Sequence, residues 1–372
     1  MKETRWNSIA SSIKLAIRKG DLLPGARIAS EIEMADQWNV STMTVHRALS
    51  ELQREGWVVR RRKAGTVIAD RSAQPLTKIG LVFTGLSDLP QRGYLNGIEE
   101  AFGEGYKLVA LSSDGNGPEE AACLEKLFEE CSAIICYPTG ALENTRLLKK
   151  IAAKMPLVFV DRIPDGIAAD VVMTDNYGSM LSGLNHLKSQ GQRRVAYFME
   201  DQTNVSSVNE RFAAYLEFIG QAQSENIAQK WVRVFPGSMP RNQYYDRVES
   251  AITELLSEPE DTRISAIACQ QEVIMTTVMN ASVRLGISIP GELEVLTFDD
   301  APPHMQPLAH YVHRLVQHPL EMGRMAAKRV QLRLISPEAM PQTMRLTTDL
   351  FPASVHELSP VAKAFLASRH PK

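Results

Sequence analysis

Four consecutive cations, Arg60, Arg61, Arg62 and Lys63, stand between two short apolar runs, Trp57-Val58-Val59 and Ala64-Gly65-Thr66-Val67-Ile68. Such a cluster repels itself in water, whereas a polyanion that neutralises it gains about one released counterion per phosphate contact. The flanking runs have the length and composition of strands, so the cations are predicted to ride the tip of a β-hairpin wing. Upstream, Thr42, Met43, Thr44, His46 and Arg47 occupy the exposed N-terminal part of a predicted helix, the part that enters a major groove and meets base edges. Both features suit duplex DNA. The charge distribution agrees: residues 1 to 75 hold 13 Lys/Arg against 8 Asp/Glu, or +5, and the rest of the chain carries −7. A basic head on an acidic body is the pattern of a head that meets phosphate.

Other reactive side chains do not assemble into a site. His304, His310, His313 and His318 cluster in sequence, but Pro302, Pro303, Pro307 and Pro319 interrupt them and no cysteine or repeated carboxylate completes a ligand set. Asp299 and Asp300 are adjacent at a predicted strand end, so their side chains diverge and form no evident acid–base dyad. Neither a Gly-x-Ser-x-Gly elbow, a Gly-x-Gly-x-x-Gly turn nor a phosphate-loop lysine motif is present. Cys123, Cys131, Cys136 and Cys269 lack Cys-x-x-Cys spacing and lie in apolar stretches, as buried thiols do. No catalytic residue, metal or cofactor is therefore expected. Neither a membrane-spanning run nor a signal-peptide core occurs, so a cytoplasmic protein without membrane contact is expected.

The elements that must position the DNA-facing residues follow from periodicity. Trp6, Ile9, Ile13, Ala16 and Ile17 mark one face of a first helix that stops at Gly20. Ser30 caps a second, with Glu33 three residues on and Ile32, Met34, Ala35 and Trp38 as its apolar side. Ser41 caps the third, which turns Val45, Ala48, Leu49 and Leu52 inward and ends before Gly56. Two short helices about a tight break at Asn39-Val40, followed by a hairpin, make a winged helix-turn-helix of α+β class over residues 1–70. Residues 71–76, Arg-Ser-Ala-Gln-Pro-Leu, read as a linker. From Ile79 to Phe298 short apolar strands alternate with helices, which requires parallel sheets covered on both faces, an α/β domain. With 372 residues and no nucleotide motif, two open-sheet lobes around a cleft at the strand ends fit residues 77–350, leaving 351–372 as a C-terminal tail.

Specific runs sharpen both halves. Pro24-Gly25, Ser30-Glu31, Val40-Ser41, Met43-Thr44-Val45, Arg47-Ala48-Leu49, Leu52, Glu55-Gly56 and Gly65-Thr66 resemble the GntR family of winged-helix regulators. Ser30, Ser41 and Gly65 then join Thr42, Met43, Thr44, His46, Arg47, Arg61, Arg62 and Lys63 as the expected DNA-binding set. The chain departs from the family pattern where it usually places DNA-contacting arginines, here Ile32, Thr42 and His46. Further on, Gly97-Ile98-Glu99, Val160-Asp161-Arg162, Thr174-Asp175-Asn176-Tyr177, Glu210-Arg211-Phe212, Leu296-Thr297-Phe298-Asp299-Asp300 and Val316-Gln317-His318-Pro319 resemble the effector domain of the LacI family, related to periplasmic sugar-binding proteins. The combination is similar to the arabinose-repressor subgroup.

That resemblance implies a pocket between two lobes that binds a sugar or sugar derivative through Asp161, Asn176, Arg211, Asp299 and Gln317. Gln271-Glu272 replaces the family's usual Asn-Asp, which brings Gln271 into the expected set. Carboxylates that accept hydroxyls and a guanidinium fork suit polyols or carboxylated sugars equally. Asp161 and Asn176 could instead cap helices, Arg211 could be a surface cation, and Gln317 a core amide; ring stacking would fall to Phe83 or Tyr137. The function implied is a transcription regulator, a homodimeric repressor, whose operator affinity a small sugar-like effector controls. The alternatives are an effector-independent DNA-binding protein and an enzyme carrying a regulatory DNA-binding head.

Overall fold

The computed structural model describes residues 5–61, 65–70, 76–86, 89–202, 204–220, 230–237 and 239–354. It divides into two compact units at Leu76/Thr77.

In the first unit, α1 (Arg5–Lys19), α2 (Glu31–Trp38) and α3 (Thr42–Arg54) precede the hairpin β1 (Val58–Arg61) and β2 (Gly65–Ile68). A full capping box opens α2: Ser30 Oγ accepts from the Glu33 amide at 3.3 Å and Glu33 Oε2 from the Ser30 amide at 2.7 Å. Asn39 ends it in the left-handed region at φ 48°, which turns the chain into α3 within two residues. Ser41 then caps α3 by accepting from the Thr44 amide. Val45, Ala48, Leu49 and Leu52 are fully buried against Ile9, Ile13, Trp57 and Ile68. Burying each larger side chain contributes roughly 1.5–3 kcal/mol. Ile32 and Trp38 are 68% and 37% exposed, not the inward side of α2 that the spacing suggests. Met34 and Ala35 take that side, and Ile32 lies about 200° around the helix from Met34. The hairpin is antiparallel, pairing Val58 with Ile68 and Arg61 with Gly65. Gly65 needs its left-handed φ of 75°, and Arg27 Nε lies 3.3 Å from where a Cβ would sit. Arg62 and Lys63 lie outside the described residues, as do residues 71–75 of the expected linker.

The second unit contains two lobes. In chain order its first half comprises β3 (Thr77–Phe83), α4 (Leu89–Phe102), β4 (Tyr106–Ser112), α5 (Gly117–Glu130), β5 (Ala133–Cys136), α6 (Thr145–Ala152), β6 (Leu157–Val160) and β7 (Asp170–Thr174). The chain then crosses over and builds α7 (Asn176–Ser189), β8 (Val195–Glu200), α8 (Ser206–Gly220), β9 (Val232–Phe235), α9 (Arg241–Leu256), β10 (Ala266–Cys269), α10 (Glu272–Leu285), β11 (Glu294–Phe298) and β12 (His313–Val316). It crosses back for α11 (Pro319–Ile335) and β13 (Thr343–Leu346), then returns for β14 (Asp349–Phe351).

The two sheets run β13-β7-β6-β5-β3-β4 and β14-β12-β11-β10-β8-β9, the same order in each lobe. All pairs are parallel except β12 with β14. Strands such as β5, β6, β7 and β10 are buried at every position because helices cover both faces. The crossovers exchange helices: α7 packs with α8 on the second sheet, and α11 packs with α4 on the first. Gly97 and Gly323 allow that last pairing, since a Cβ on either would strike backbone of the facing helix, Leu320 and Tyr94 respectively. β14 runs to Phe351, past the boundary expected at residue 350, because it pairs with β12. Residues 355–372 of the expected tail lie outside the described residues.

Candidate functional site

On the first unit, Thr42, Met43, His46 and Arg47 are exposed on one side of α3, with Met43 at 75%. Thr44 is half-buried and its hydroxyl is 2.9 Å from Ser41 Oγ, so it supports the cap more than the surface. Ser30 and Ser41 spend their hydroxyls on helix caps, at helix N-termini whose dipoles favour phosphate. Arg47 lays its guanidinium over the Trp6 ring, 4.9 Å from the centroid. Arg61 is exposed at the end of β1 and faces Gly65 across the hairpin.

Sequence reasoning missed a clasp here. Glu31 Oε1 accepts from Arg60 Nη2 at 2.7 Å and lies 3.1 Å from His46 Nδ1, tying α2, α3 and the wing together. A carboxylate thus stands among the residues expected to meet phosphate.

In the second unit a cleft of about 320 Å³ opens between the lobes at the carboxyl ends of the strands. Five of the six expected effector residues line it: Asp161, Arg211, Gln271, Asp299 and Gln317. Asp161 follows β6 and Asp299 follows β11, equivalent places in the two sheets, and both backbones are left-handed, at φ 69° and 73°. Such conformations cost on the order of 1–3 kcal/mol and concentrate where a site demands them.

Arg211 is 4% exposed, so it is not a surface cation. Its Nε donates to Asn176 Oδ1 at 2.8 Å, its Nη1 to the Gln270 carbonyl at 3.0 Å, and its plane lies 3.6 Å from the Phe298 ring centroid. Asn176, expected as an effector contact, is fully buried and does not line the cleft; its Oδ1 accepts from Arg211 Nε behind the lining. The cap of α7 is Asp175. Gln317 donates its amide to Asp299 Oδ1 and accepts from Thr174 Oγ1, which orients it between the crossover strands.

Asp161 collects donors from three directions: Tyr94 OH at 3.4 Å, Arg162 Nε at 3.1 Å and, from the other lobe, Ser207 Oγ at 3.4 Å. The lobes are further joined by Ser206 Oγ accepting from the Ile163 amide at 3.0 Å and by a two-pronged Arg345–Glu210 pair at 2.7 Å. Tyr137 lines the cleft, with Arg162 over its ring at 4.4 Å and its hydroxyl 2.5 Å from Arg162 Nη2. Phe83, the other expected stacking ring, is wholly buried behind it. Burial, opposed by Arg211 and the Gln317 hydrogen bond, holds the Asp299 carboxyl above its ordinary range. Burial and the nearby Asp299 push Glu272 up to about 7. Glu272, Arg162, Ser207 and Gln202 are lining residues that the sequence expectations did not include. Glu272 had a signal, the one-methylene lengthening of the pair it shares with Gln271; the serines stand just ahead of the Glu210-Arg211-Phe212 run.

The histidines near the chain's end scatter. His313 Nε2 lies 3.2 Å from Glu294 Oε2, His318 lies 3.6 Å from Asp349, and His304 lines a second cavity with Glu200 and Tyr244. Among the described residues no group of three or more His, Cys, Asp or Glu could hold a metal ion. The four cysteines are free, Cys136 and Cys269 buried and Cys123 and Cys131 only half-buried.

Residues 6–68 match the family described as bacterial regulatory proteins, gntR family, and residues 184–352 a periplasmic binding protein-like domain. The arabinose metabolism transcriptional repressor of Halalkalibacterium halodurans is 26% identical over 341 residues, 88% of each chain. The transcription regulator CcpA of Lactococcus lactis superposes with a TM-score of 0.62 at 17% identity, covering 74% of this chain and 98% of that one. A transcriptional regulator CelR–cellobiose complex superposes at 0.61 with 20% identity, over 84% and 90%. The capped helix pair with its hairpin, and the twin parallel sheets exchanging helices across a cleft, are therefore a gntR-type helix-turn-helix module followed by a periplasmic-binding-protein-like domain.

Proposed function

We propose that this protein is a DNA-binding transcriptional regulator, a repressor, whose operator affinity is set by a small sugar-like molecule held between the two lobes. One observation carries the reading: a single chain joins an exposed, capped helix beside a basic hairpin to a cleft lined by carboxylates, amides and two guanidiniums. The names of the relatives, arabinose repressors among them, and the cellobiose complex of a structural neighbour support it. A ligand held by Arg211 and Asp299 from one lobe and Asp161 from the other favours one lobe geometry, and its differential affinity for the two geometries alters the hold on DNA. We take release from DNA as the direction. No helix of the described residues is long and apolar enough to cross a membrane; as a partner of DNA the protein works in the cytosol, without catalysis, and as a homodimer, because one winged helix covers about one half-site.

The test is an anisotropy titration of duplex DNA at several salt concentrations. Arg61, Arg62 and Lys63 replaced together by Ala should flatten the salt dependence by up to about three units of slope. An unchanged slope removes the wing from the interface. Sedimentation that shows only monomer, with and without duplex, contradicts the dimer.

A further inference from the structure

The described lining of the cleft carries three carboxylates, Asp161, Glu272 and Asp299, against two guanidiniums, Arg162 and Arg211. Both guanidiniums are already engaged. Arg162 is spent on Asp161 at 3.1 Å and on the Tyr137 hydroxyl at 2.5 Å. Arg211 gives Nε to Asn176 and Nη1 to the Gln270 carbonyl, and its face to Phe298. The carboxylates are less fully matched. Gln317 takes one oxygen of Asp299, and among the described residues the Glu272 carboxyl has no hydrogen-bond partner from another side chain. Arg211 is the one cation that acts on both Glu272 and Asp299; against it stand Glu200 beside Glu272, and Asp161 and Asp300 beside Asp299, with Asp300 itself paired to Arg314.

The cleft therefore presents more carboxylates than guanidiniums, and both guanidiniums are partly engaged while Glu272 hydrogen-bonds to no other side chain among the described residues. A ligand rich in hydroxyls brings what Glu272 and Asp299 lack, since each hydroxyl donates one hydrogen bond and carries no charge. A ligand bearing a carboxylate or phosphate adds a further negative charge beside three carboxylates, and meets only the remaining donors of two engaged guanidiniums, Arg211 Nη2 and Arg162 Nη1.

We infer that the cleft discriminates by charge, taking an uncharged polyhydroxylated ligand and turning away the acid of the same skeleton. This settles in favour of neutral polyols a choice that the residue types alone leave open, and it rests on the sensor reading above. Glu272 is its main determinant, because it is the lining carboxylate with no partner side chain.

The experiment is calorimetric titration of the full chain at pH 8 with matched probes: L-arabinose and L-arabinonate, D-glucose and D-gluconate, D-galactose and D-galacturonate, cellobiose and cellobionate. At least one neutral member should bind, with its acid weaker by about tenfold or more. In Glu272→Gln that ratio should shrink by about tenfold, with the neutral ligand changed far less than the acid. An acid that binds as tightly as its neutral partner overturns the inference while leaving the regulator reading intact. An unchanged ratio in Glu272→Gln removes Glu272 as the determinant and overturns the assignment. If no probe of either kind binds, the inference falls together with the sugar reading, and duplex titration then judges the DNA-binding half alone.

Discussion

Glu272→Gln offers a second readout that needs no ligand. In the folded chain this carboxyl titrates near 7 instead of 4.5, first because it is buried and second because Asp299 is close. A folded-state value raised above the unfolded one means that folding favours the protonated form. The stability that the neutral carboxyl retains is fully present below about pH 4.5 and is lost as pH rises through about 7. One pKa unit is worth about 1.4 kcal/mol, so the whole loss is on the order of 3 kcal/mol, an upper bound because unfolding of the surroundings shares it. An amide of the same shape is never ionised and escapes the loss. Urea unfolding of the full chain, followed by circular dichroism through the transition of the larger unit, should show the variant gaining about 1–3 kcal/mol on the wild type at pH 8 relative to their difference at pH 5. Titrating groups remote from Glu272 cancel in that comparison, and Asp299, which loses a neighbouring charge in the variant, changes it in the same sense. A variant-minus-wild-type difference that is the same at the two pH values would refute the claim that the cleft holds the Glu272 carboxyl above its ordinary range.

Two further outcomes follow from the geometry. Asp299→Asn keeps the Gln317 contact available but removes an acceptor charge from the cleft; it should weaken any neutral ligand by about tenfold or more while ligand-free duplex affinity stays within about twofold, measured by calorimetry and anisotropy on the same preparation. Glu31→Gln unclasps Arg60 and His46 and takes a negative charge from the DNA-facing side, so affinity for random-sequence duplex should rise and its salt slope steepen by about one; a weaker, shallower binding curve would show that Glu31 holds Arg60 in its working position.

The winged helix was legible because its signals are local: the caps at Ser30 and Ser41, the break at Asn39 and the basic hairpin each span fewer residues than one helix. Ile32 was misread because an apolar side chain on an eight-residue helix fits either face, and only the packing of Met34 and Ala35 decides the rotation. In the larger domain the apolar strands up to Phe298 announced themselves, whereas β7 and β13 did not. β7 holds five residues close behind another apolar stretch, and β13 is an edge strand whose alternate residues are exposed, as on any sheet edge. The exchange of α7 and α11 between lobes is a tertiary fact that no local pattern encodes. For the cleft, residue types and order pointed to Asp161, Arg211 and Asp299, which line it, whereas Asn176 behind Arg211 and Glu272 inside the cleft depend on which way each side chain turns at a helix start.

Coupling between cleft and duplex is read most directly as duplex affinity with and without saturating ligand. A labelled duplex selected from a random-sequence pool would be titrated by anisotropy in the presence of whichever neutral probe the calorimetry shows to bind. A coupling of roughly 1–3 kcal/mol predicts a loss of duplex affinity of about 5- to 150-fold, and the same factor must appear when ligand affinity is measured on the DNA-bound protein. Identical duplex affinity at zero and saturating ligand would contradict the account, because a ligand with equal hold on both lobe geometries can shift neither.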